Sequence, residues 1–172
     1  MTNNYNLVEE YFMQVDKLFA DNEFAQGKKL LEEILEMEPA YGRAHNHLGW
    51  VYYAKFDNYH KAEYHYKLAK KFAPEYPAGY INLSYILVQT RKYDEAKANA
   101  AEALNVPAMN RAIIYNELGR VEEYQGNYKE ALQHYMDAVR SCMNKNELDV
   151  YNVNIERVKT KVNLFKKKFF LF

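Results

Sequence analysis

The chain has 172 residues, of which 49% are hydrophobic and 27% charged, and its 23 basic side chains equal its 23 acidic ones. This balance is typical of one folded domain, and the absence of a basic excess argues against nucleic-acid binding. A single cysteine, Cys142, excludes an intrachain disulfide and a four-cysteine zinc site. We see no signal peptide and no apolar run of the roughly 18 residues that a membrane span needs, so we expect a soluble, cytoplasmic protein.

Four segments of similar pattern follow one another along the chain, at residues 8–41, 42–76, 77–111 and 112–145. In each segment an apolar stretch precedes a polar turn, an aromatic residue and a second stretch with small residues. The aromatic residues are 35, 34 and 35 residues apart, and they are Phe24, Tyr59, Tyr93 and Tyr128. The first segment is a weaker copy, because it carries Gly27 where the others carry alanine. A terminal repeat is expected to differ in this way.

The spacing inside each segment predicts a pair of packed helices. Ala62, Tyr66 and Ala69 follow one another at i, i+4 and i+7, which places them on one face of a helix. Gly49 and Gly119 supply small residues on the preceding helices, so that the two helices of a pair can approach closely. All four prolines lie between segments, where they can end or begin a helix without interrupting one. We therefore predict four helical hairpins.

The last segment, about 147–169, has a different pattern. Its apolar residues alternate steps of three and four, which is typical of a narrow helical seam, and they include Leu148, Tyr151, Ile155, Val158, Val162 and Phe165. Our main interpretation is a capping helix that covers the open face of the fourth hairpin. The alternative is an oligomerisation seam that forms a homodimer or docks onto a larger complex. Lys166 to Lys168 precede four apolar residues, but one short cluster is weak evidence for membrane contact.

The four segments resemble the tetratricopeptide repeat (TPR), whose period is 34 residues. The resemblance rests on Leu48-Gly49 and Leu118-Gly119, on the aromatic residue that opens each second stretch, and on the alanines that follow it. It implies an all-α fold, a right-handed α-solenoid of four TPR-like hairpins plus a C-terminal capping helix, in a single domain spanning 1–172. It also implies a non-catalytic scaffold whose first helices line a concave groove.

The resemblance places two kinds of side chain in that groove, where an extended peptide or a helix of another protein would bind. Rigid aromatic rings are enriched in binding hot spots, and asparagine amides can pair with any peptide backbone. The predicted groove residues are Phe12, Asn46, His47, Trp50, Tyr53, Asn82, Tyr85, Asn116, Glu117, Arg120 and Tyr124. Packing between repeats is the alternative for the rings, and solvated surface or hydrogen bonding to a neighbouring helix is the alternative for the asparagines.

Motifs that would indicate catalysis or metal binding are missing from the sequence. No two of the five histidines are spaced i, i+4, and His60 and His65 are five residues apart, which directs them to different sides of a helix. No glycine-rich phosphate loop and no Gly-x-Ser-x-Gly motif is present. We therefore expect no catalytic residue, no metal and no cofactor, and we expect that the protein is not an enzyme.

Overall fold

The computed structural model describes the backbone of residues 2–169 and the side chains of residues 7–164. The described part contains helices and no strand, which confirms the predicted all-α class. In chain order the helices are α1 (Thr2–Ala20), α2 (Phe24–Met37), α3 (Gly42–Phe56), α4 (Tyr59–Phe72), α5 (Pro77–Gln89), α6 (Tyr93–Ala103), α7 (Arg111–Gln125), α8 (Tyr128–Ser141) and α9 (Lys145–Phe169).

The helices divide into two compact units. The N-terminal unit is Met1–Ile86 and the C-terminal unit is Leu87–Phe172, so the division falls within α5. The arrangement of the whole chain as a single domain stays a prediction.

The turns that follow α1, α3, α5 and α7 each contain one residue with left-handed backbone conformation. These residues have φ of 64°, 47°, 59° and 84°, and they are Asn22, Asp57, Arg91 and Gly126. Glycine adopts this conformation without steric cost, and asparagine and aspartate tolerate it better than most residues. In each case the next helix begins two residues later, at an aromatic residue. The polar turns between paired stretches therefore lie where the sequence predicts them.

The prolines mark the boundaries between hairpins. α2, α4 and α6 end two to four residues before Pro39, Pro74 and Pro107, and α5 begins at Pro77. Proline suits the first position of a helix, because its missing amide hydrogen would have no partner there. The predicted role of all four prolines is confirmed.

Two glycines, each in a different hairpin, allow the two helices of their hairpin to come into contact. A Cβ atom at Gly49 would lie 2.6 Å from the ring of Tyr66 on α4, and one at Gly119 would lie 2.6 Å from the ring of Tyr135 on α8. Both distances are shorter than a carbon–carbon contact. A large ring on the second helix therefore occupies the space that the glycine leaves free.

The C-terminal helix α9 packs its apolar seam against other helices of the C-terminal unit. Tyr151 and Val158 are buried in clusters that include residues of α8, and Ile155 and Val162 pack beside Val158. Leu148 is half-buried, and the side chain of Phe165 lies outside the described residues. This packing supports the capping interpretation, because the seam covers α8 within the same chain.

A pair of histidines that are 20 residues apart in sequence joins α3 to α4. His45 Nδ1 and His65 Nδ1 are 3.1 Å apart, and His45 Nε2 lies 3.0 Å from the carbonyl oxygen of Pro39. Since the Nε2 hydrogen of His45 is donated to Pro39, its Nδ1 must accept the hydrogen of His65. Burial lowers the pKa of both rings, and the neighbouring His45 lowers the pKa of His65 further, to about 4. Both imidazole rings are therefore neutral when this hydrogen bond forms.

We expect acid to destabilise the N-terminal unit through this pair. The unfolded pKa of histidine is about 6.5, so stability should be full above that pH and should fall between pH 6.5 and about 4. The expected loss is about 2 kcal/mol, since partial exposure screens the charge. Urea unfolding at pH 7 and pH 5 measures it. The difference in unfolding free energy between the two pH values should become smaller in His65→Ala. It should not change in His60→Ala, whose ring is exposed. The same pH dependence in both variants would contradict the assignment.

Candidate functional site

The asparagines predicted on α3 and α5 meet in the N-terminal unit. Asn82 Nδ2 donates a hydrogen bond of 2.9 Å to Asn46 Oδ1. Among the described residues, none hydrogen-bonds the remaining amide nitrogen of Asn46 or the remaining carbonyl oxygen of Asn82. The pair thus offers one free donor and one free acceptor side by side. A peptide group has the complementary acceptor and donor.

Two cavities border this pair, and together we call them the N-terminal groove. The amide cavity has a volume of about 430 Å³ and is lined by Phe19, Ala20, Asn46, His47, Trp50 and Asn82. The aromatic cavity has a volume of about 230 Å³ and is lined by Trp50, Tyr53, Tyr66, Asn82, Tyr85 and Ile86. Trp50 and Asn82 line both cavities. A bound segment could therefore contact the amide pair and both cavities at once.

Aromatic packing fixes the position of Trp50 between the cavities. Its ring centroid lies 5.5 Å from that of Phe19 and 5.7 Å from that of Phe24. Lys55 places its Nζ 3.6 Å from the centroid of Phe24, a cation–π contact that covers this cluster on one side. Such packing restricts the rotation of Trp50, so the wall that it forms exists before any partner binds.

His47 closes the amide cavity and is held by neighbours in the same unit. Its Nδ1 donates to the carbonyl oxygen of Arg43 at 3.0 Å, and its Nε2 lies 3.4 Å from the carboxylate of Asp16. Burial lowers the pKa of His47, an effect that the Arg43 carbonyl and Asp16 partly offset. The ring is therefore a neutral, oriented part of the cavity wall at neutral pH.

Tyr66 forms the buried wall of the aromatic cavity. The residue is only 2% exposed, and its ring packs where Gly49 leaves space. No described residue hydrogen-bonds its hydroxyl group. Burial raises the pKa of this phenol well above its usual value, so the hydroxyl keeps its hydrogen. The hydroxyl oxygen is not among the fully buried polar atoms without a partner, so it keeps surface accessible from the cavity.

Three of the predicted groove residues are buried: Asn46, which is 6% exposed, still lines the amide cavity, whereas Phe12 and Glu117 line neither cavity, so their assignment to the groove was wrong. Phe12 is 1% exposed, because its ring packs edge-on against Tyr41 and His47 and lies 4.3 Å below the guanidinium of Arg43. Glu117 is 2% exposed and pairs with Arg120 at 2.7 Å. Both side chains are used for packing inside their own unit.

The C-terminal unit contains a second asparagine pair, but its amides are already satisfied. Asn154 Nδ2 donates to Asn116 Oδ1 at 2.7 Å, and Asn116 Nδ2 donates to Glu117. The carbonyl oxygen of Asn154 accepts from Arg157 at 2.8 Å. Unlike Asn46 and Asn82, this pair has no free donor and acceptor to offer. Its interactions are those expected of a structural contact between α7 and α9.

The remaining predicted residues keep accessible surface. Tyr53 and Tyr85 are each 39% exposed in the N-terminal unit. In the C-terminal unit Tyr124 is 61% exposed, and its ring stacks on Tyr93 at 6.2 Å. Arg120 is half-buried beside Glu117. Each of the three tyrosine rings can therefore contact a partner on one face.

Sequence reasoning places Phe19 on the concave side of the first hairpin but does not include Tyr66 and Asn154 in the groove. Tyr66 was assigned to packing, since its spacing matches the buried stripe of α4, and that spacing cannot show that its hydroxyl lacks a partner. Asn154 could have been found, because it continues the series Asn46, Asn82 and Asn116 at similar intervals. The spacing of the asparagines was overlooked because the apolar seam of α9 suggested a helix unlike the others.

The part of the chain that the structure describes contains no group of three or more potential metal ligands, so the His45–His65 pair has no third ligand there. None of the described helices combines the length and apolar character that crossing a membrane requires. Lys166 to Lys168, the cluster that is weak evidence for membrane contact, lie outside the described side chains.

The chain was compared with known protein families, and the matched ranges agree with the helical hairpins. Three sequence profiles of the tetratricopeptide repeat match the chain, at residues 12–77, 77–107 and 111–142. The chain belongs to the tetratricopeptide repeat family. The matched regions begin in α1 and end at residue 142, one residue after α8, so α9 lies outside them. No curated protein sequence matches the chain.

Solved TPR structures share this fold at low sequence identity. PilF of Pseudomonas aeruginosa is 18% identical with a TM-score of 0.80, covering 95% of this chain and 72% of that one. BtubC of P. vanneervenii is 21% identical with a TM-score of 0.77, covering 94% and 75%. YrrB, described as a TPR protein with an unusual peptide-binding site, is 17% identical with a TM-score of 0.71, covering 93% and 84%. The predicted α-solenoid of helical hairpins is confirmed.

The TPR fold supports a general function in protein–protein interaction. TPR proteins are typically scaffolds without catalytic activity, and their fold implies a protein or peptide as partner. Fold alone does not identify that partner.

Proposed function

We propose that this TPR protein is a non-catalytic scaffold that binds an extended segment of a partner protein in the N-terminal groove. The observation that carries this proposal is the Asn46–Asn82 pair, whose free donor and acceptor lie between two cavities. An extended segment exposes a backbone carbonyl and an amide at every residue. The asparagine pair can bind these groups whatever the sequence of the segment, while the cavities select its side chains.

The walls of the groove favour binding over solvation. Trp50, Tyr53 and Tyr85 present broad rings that lose little conformational entropy on binding, which is typical of hot spots. The solved structure of YrrB also shows that a TPR array of this size has a peptide-binding site. We infer the same class of ligand here, at a position that this chain's own residues define.

Self-association through α9 remains the alternative. Tyr151 and Val158 already pack against other residues of this chain. A homodimer through the same seam would first have to separate α9 from α8, exposing these side chains. No feature of the described residues favours that exchange over the groove.

We expect Asn82→Ala to weaken binding of peptides selected against the wild-type protein by about tenfold, which is the effect of one lost hydrogen-bonded contact in a buried site. Peptides are selected from a displayed random library, and dissociation constants are measured by titration. Trp50 is the only tryptophan of the chain, so its fluorescence reports on the groove.

Asn152→Ala is the matched control, because Asn152 is an exposed asparagine on α9. It should bind every selected peptide as the wild type does. Equal affinities for Asn82→Ala and the wild type, with no change in Trp50 fluorescence, would place the binding surface elsewhere.

A further inference from the structure

The aromatic cavity has an unusual lining for a pocket of its size. Its walls include the rings of Trp50, Tyr53, Tyr66 and Tyr85, and none of its six lining residues is charged. The faces of these rings carry partial negative charge. A volume of about 230 Å³ accommodates one long side chain. The cavity is therefore suited to a single guest that is attracted to aromatic faces.

The Tyr66 hydroxyl restricts which guest can enter. Tyr66 lines the cavity, no described residue hydrogen-bonds its hydroxyl, and the hydroxyl oxygen keeps accessible surface, because it is not among the buried polar atoms without a partner. An aliphatic side chain in this position would remove water from the hydroxyl and return no hydrogen bond, which is unfavourable. A guest with N–H groups can donate to the hydroxyl oxygen, as well as to the free carbonyl oxygen of Asn82.

The N-terminal unit as a whole is acidic, which attracts a cationic guest, while one cation of the chain already lies beside the cavity, with Lys55 Nζ 5.6 Å from the centroid of Trp50. Residues 1–86 contain 12 acidic and 9 basic side chains. Lysines of this unit already lie over aromatic rings, with Lys55 3.6 Å from the centroid of Phe24 and Lys61 5.1 Å from that of Tyr52. Arginine suits the cavity better than lysine, since its guanidinium is planar, weakly hydrated and stacks on rings while it donates hydrogen bonds.

We propose that the aromatic cavity is a specificity pocket for an arginine side chain of the bound segment. The guanidinium stacks between the rings of the cavity and donates to the Tyr66 hydroxyl and the Asn82 carbonyl oxygen. The inference rests on the proposed function, because the asparagine pair holds the backbone from which the side chain enters. It adds to that function a chemical class of partner, a segment with an exposed arginine.

The test uses pentapeptides of the form acetyl-Ser-Gly-X-Gly-Ser-amide, with arginine, norleucine or phenylalanine at X. Norleucine keeps the aliphatic stem and removes the guanidinium. Titration against the full chain is followed by Trp50 fluorescence. The arginine peptide should bind about tenfold more tightly than the norleucine peptide, the preference that cation–π contacts in a desolvated site give.

Two tyrosine variants of α4 separate the pocket from the rest of the surface. Tyr66→Phe removes only the hydroxyl and should reduce the arginine preference about threefold. Tyr64→Phe is the matched control, because Tyr64 is 57% exposed and does not line the cavity. It should leave the preference unchanged. Thermal unfolding followed by circular dichroism verifies that both variants are folded.

The possible outcomes distinguish this inference from the proposed function. If the norleucine or phenylalanine peptide binds as tightly as the arginine peptide and Asn82→Ala weakens all three, peptide binding in the groove is supported. The proposed selection for arginine is then overturned. If no peptide binds, the proposed function fails. Titration with N-acetyl-arginine amide then tests by itself whether the cavity binds arginine. Saturable quenching of Trp50 by that compound, lost in Tyr85→Leu, supports the pocket, and the absence of quenching overturns it.

Discussion

Replacing Tyr135 by alanine is expected to lower the free energy of unfolding by about 4 kcal/mol. Tyr135 is 0% exposed, its ring fills the space opposite Gly119, and it packs beside Ala131 and Val158. The substitution therefore creates a cavity at the contact between three helices of the C-terminal unit. Urea unfolding followed by circular dichroism measures the loss.

Two further variants identify the source of this effect. Tyr135→Phe keeps the ring and removes the hydroxyl, which donates 2.8 Å to Glu123, so it should cost only about 1 kcal/mol. Tyr124→Ala removes a ring that is 61% exposed and should cost less than about 1 kcal/mol. A loss for Tyr135→Ala no greater than that for Tyr124→Ala would show that the ring is not a central part of the core.

Glu123→Ala is expected to lower the free energy of unfolding by about 3 kcal/mol. The Glu123 side chain is 6% exposed and accepts from Arg157 at 2.6 Å and from Lys161 at 2.7 Å, both on α9. Burial by itself would raise the pKa of this carboxyl, but the hydrogen bonds from Arg157, Lys161 and Tyr135 outweigh it and hold the pKa at about 2. The carboxylate therefore ties α9 to α7. Urea unfolding measures the loss.

Glu156→Ala is the control for this prediction. Glu156 pairs with Lys159 at 2.7 Å, but both side chains are more than half exposed, so its loss should cost about 0.5 kcal/mol or less. The stability from Glu123 should also persist at acidic pH, above the unfolded pKa of about 4.5, and disappear only as pH approaches 2. Equal effects of the two substitutions would contradict a structural role for Glu123 in holding α9.

Tyr135 and Glu123 share a hydrogen bond, so their effects should not add. The double variant Tyr135→Phe, Glu123→Ala is expected to cost less than the two single changes together, since each removes the same contact. This coupling also explains why the cap depends on tertiary structure. The seam of α9 supplies apolar area, while the position of the helix along α8 depends on a buried carboxylate that belongs to α7.

The hairpins could be predicted because their signals are local. Proline position, left-handed turn residues and the i, i+4, i+7 spacing of Ala62, Tyr66 and Ala69 act within about ten residues of one another. Each restricts backbone dihedral angles or the face of one helix directly. The helix starts at Tyr59, Tyr93 and Tyr128 follow from these local restrictions.

The sequence by itself determined the fold family, the places where helices begin and end, and the pairing of a small residue with a large ring. Only the tertiary structure decided which asparagines are free, since Asn46 bonds Asn82 and Asn116 bonds Asn154 over 36 and 38 residues of sequence. It also decided that Phe12 is buried and that no described residue hydrogen-bonds the Tyr66 hydroxyl. The physical reason is geometric. Successive helical residues point about 100° apart, so a small rotation of one helix against its neighbour moves a side chain from groove to core without changing the sequence pattern.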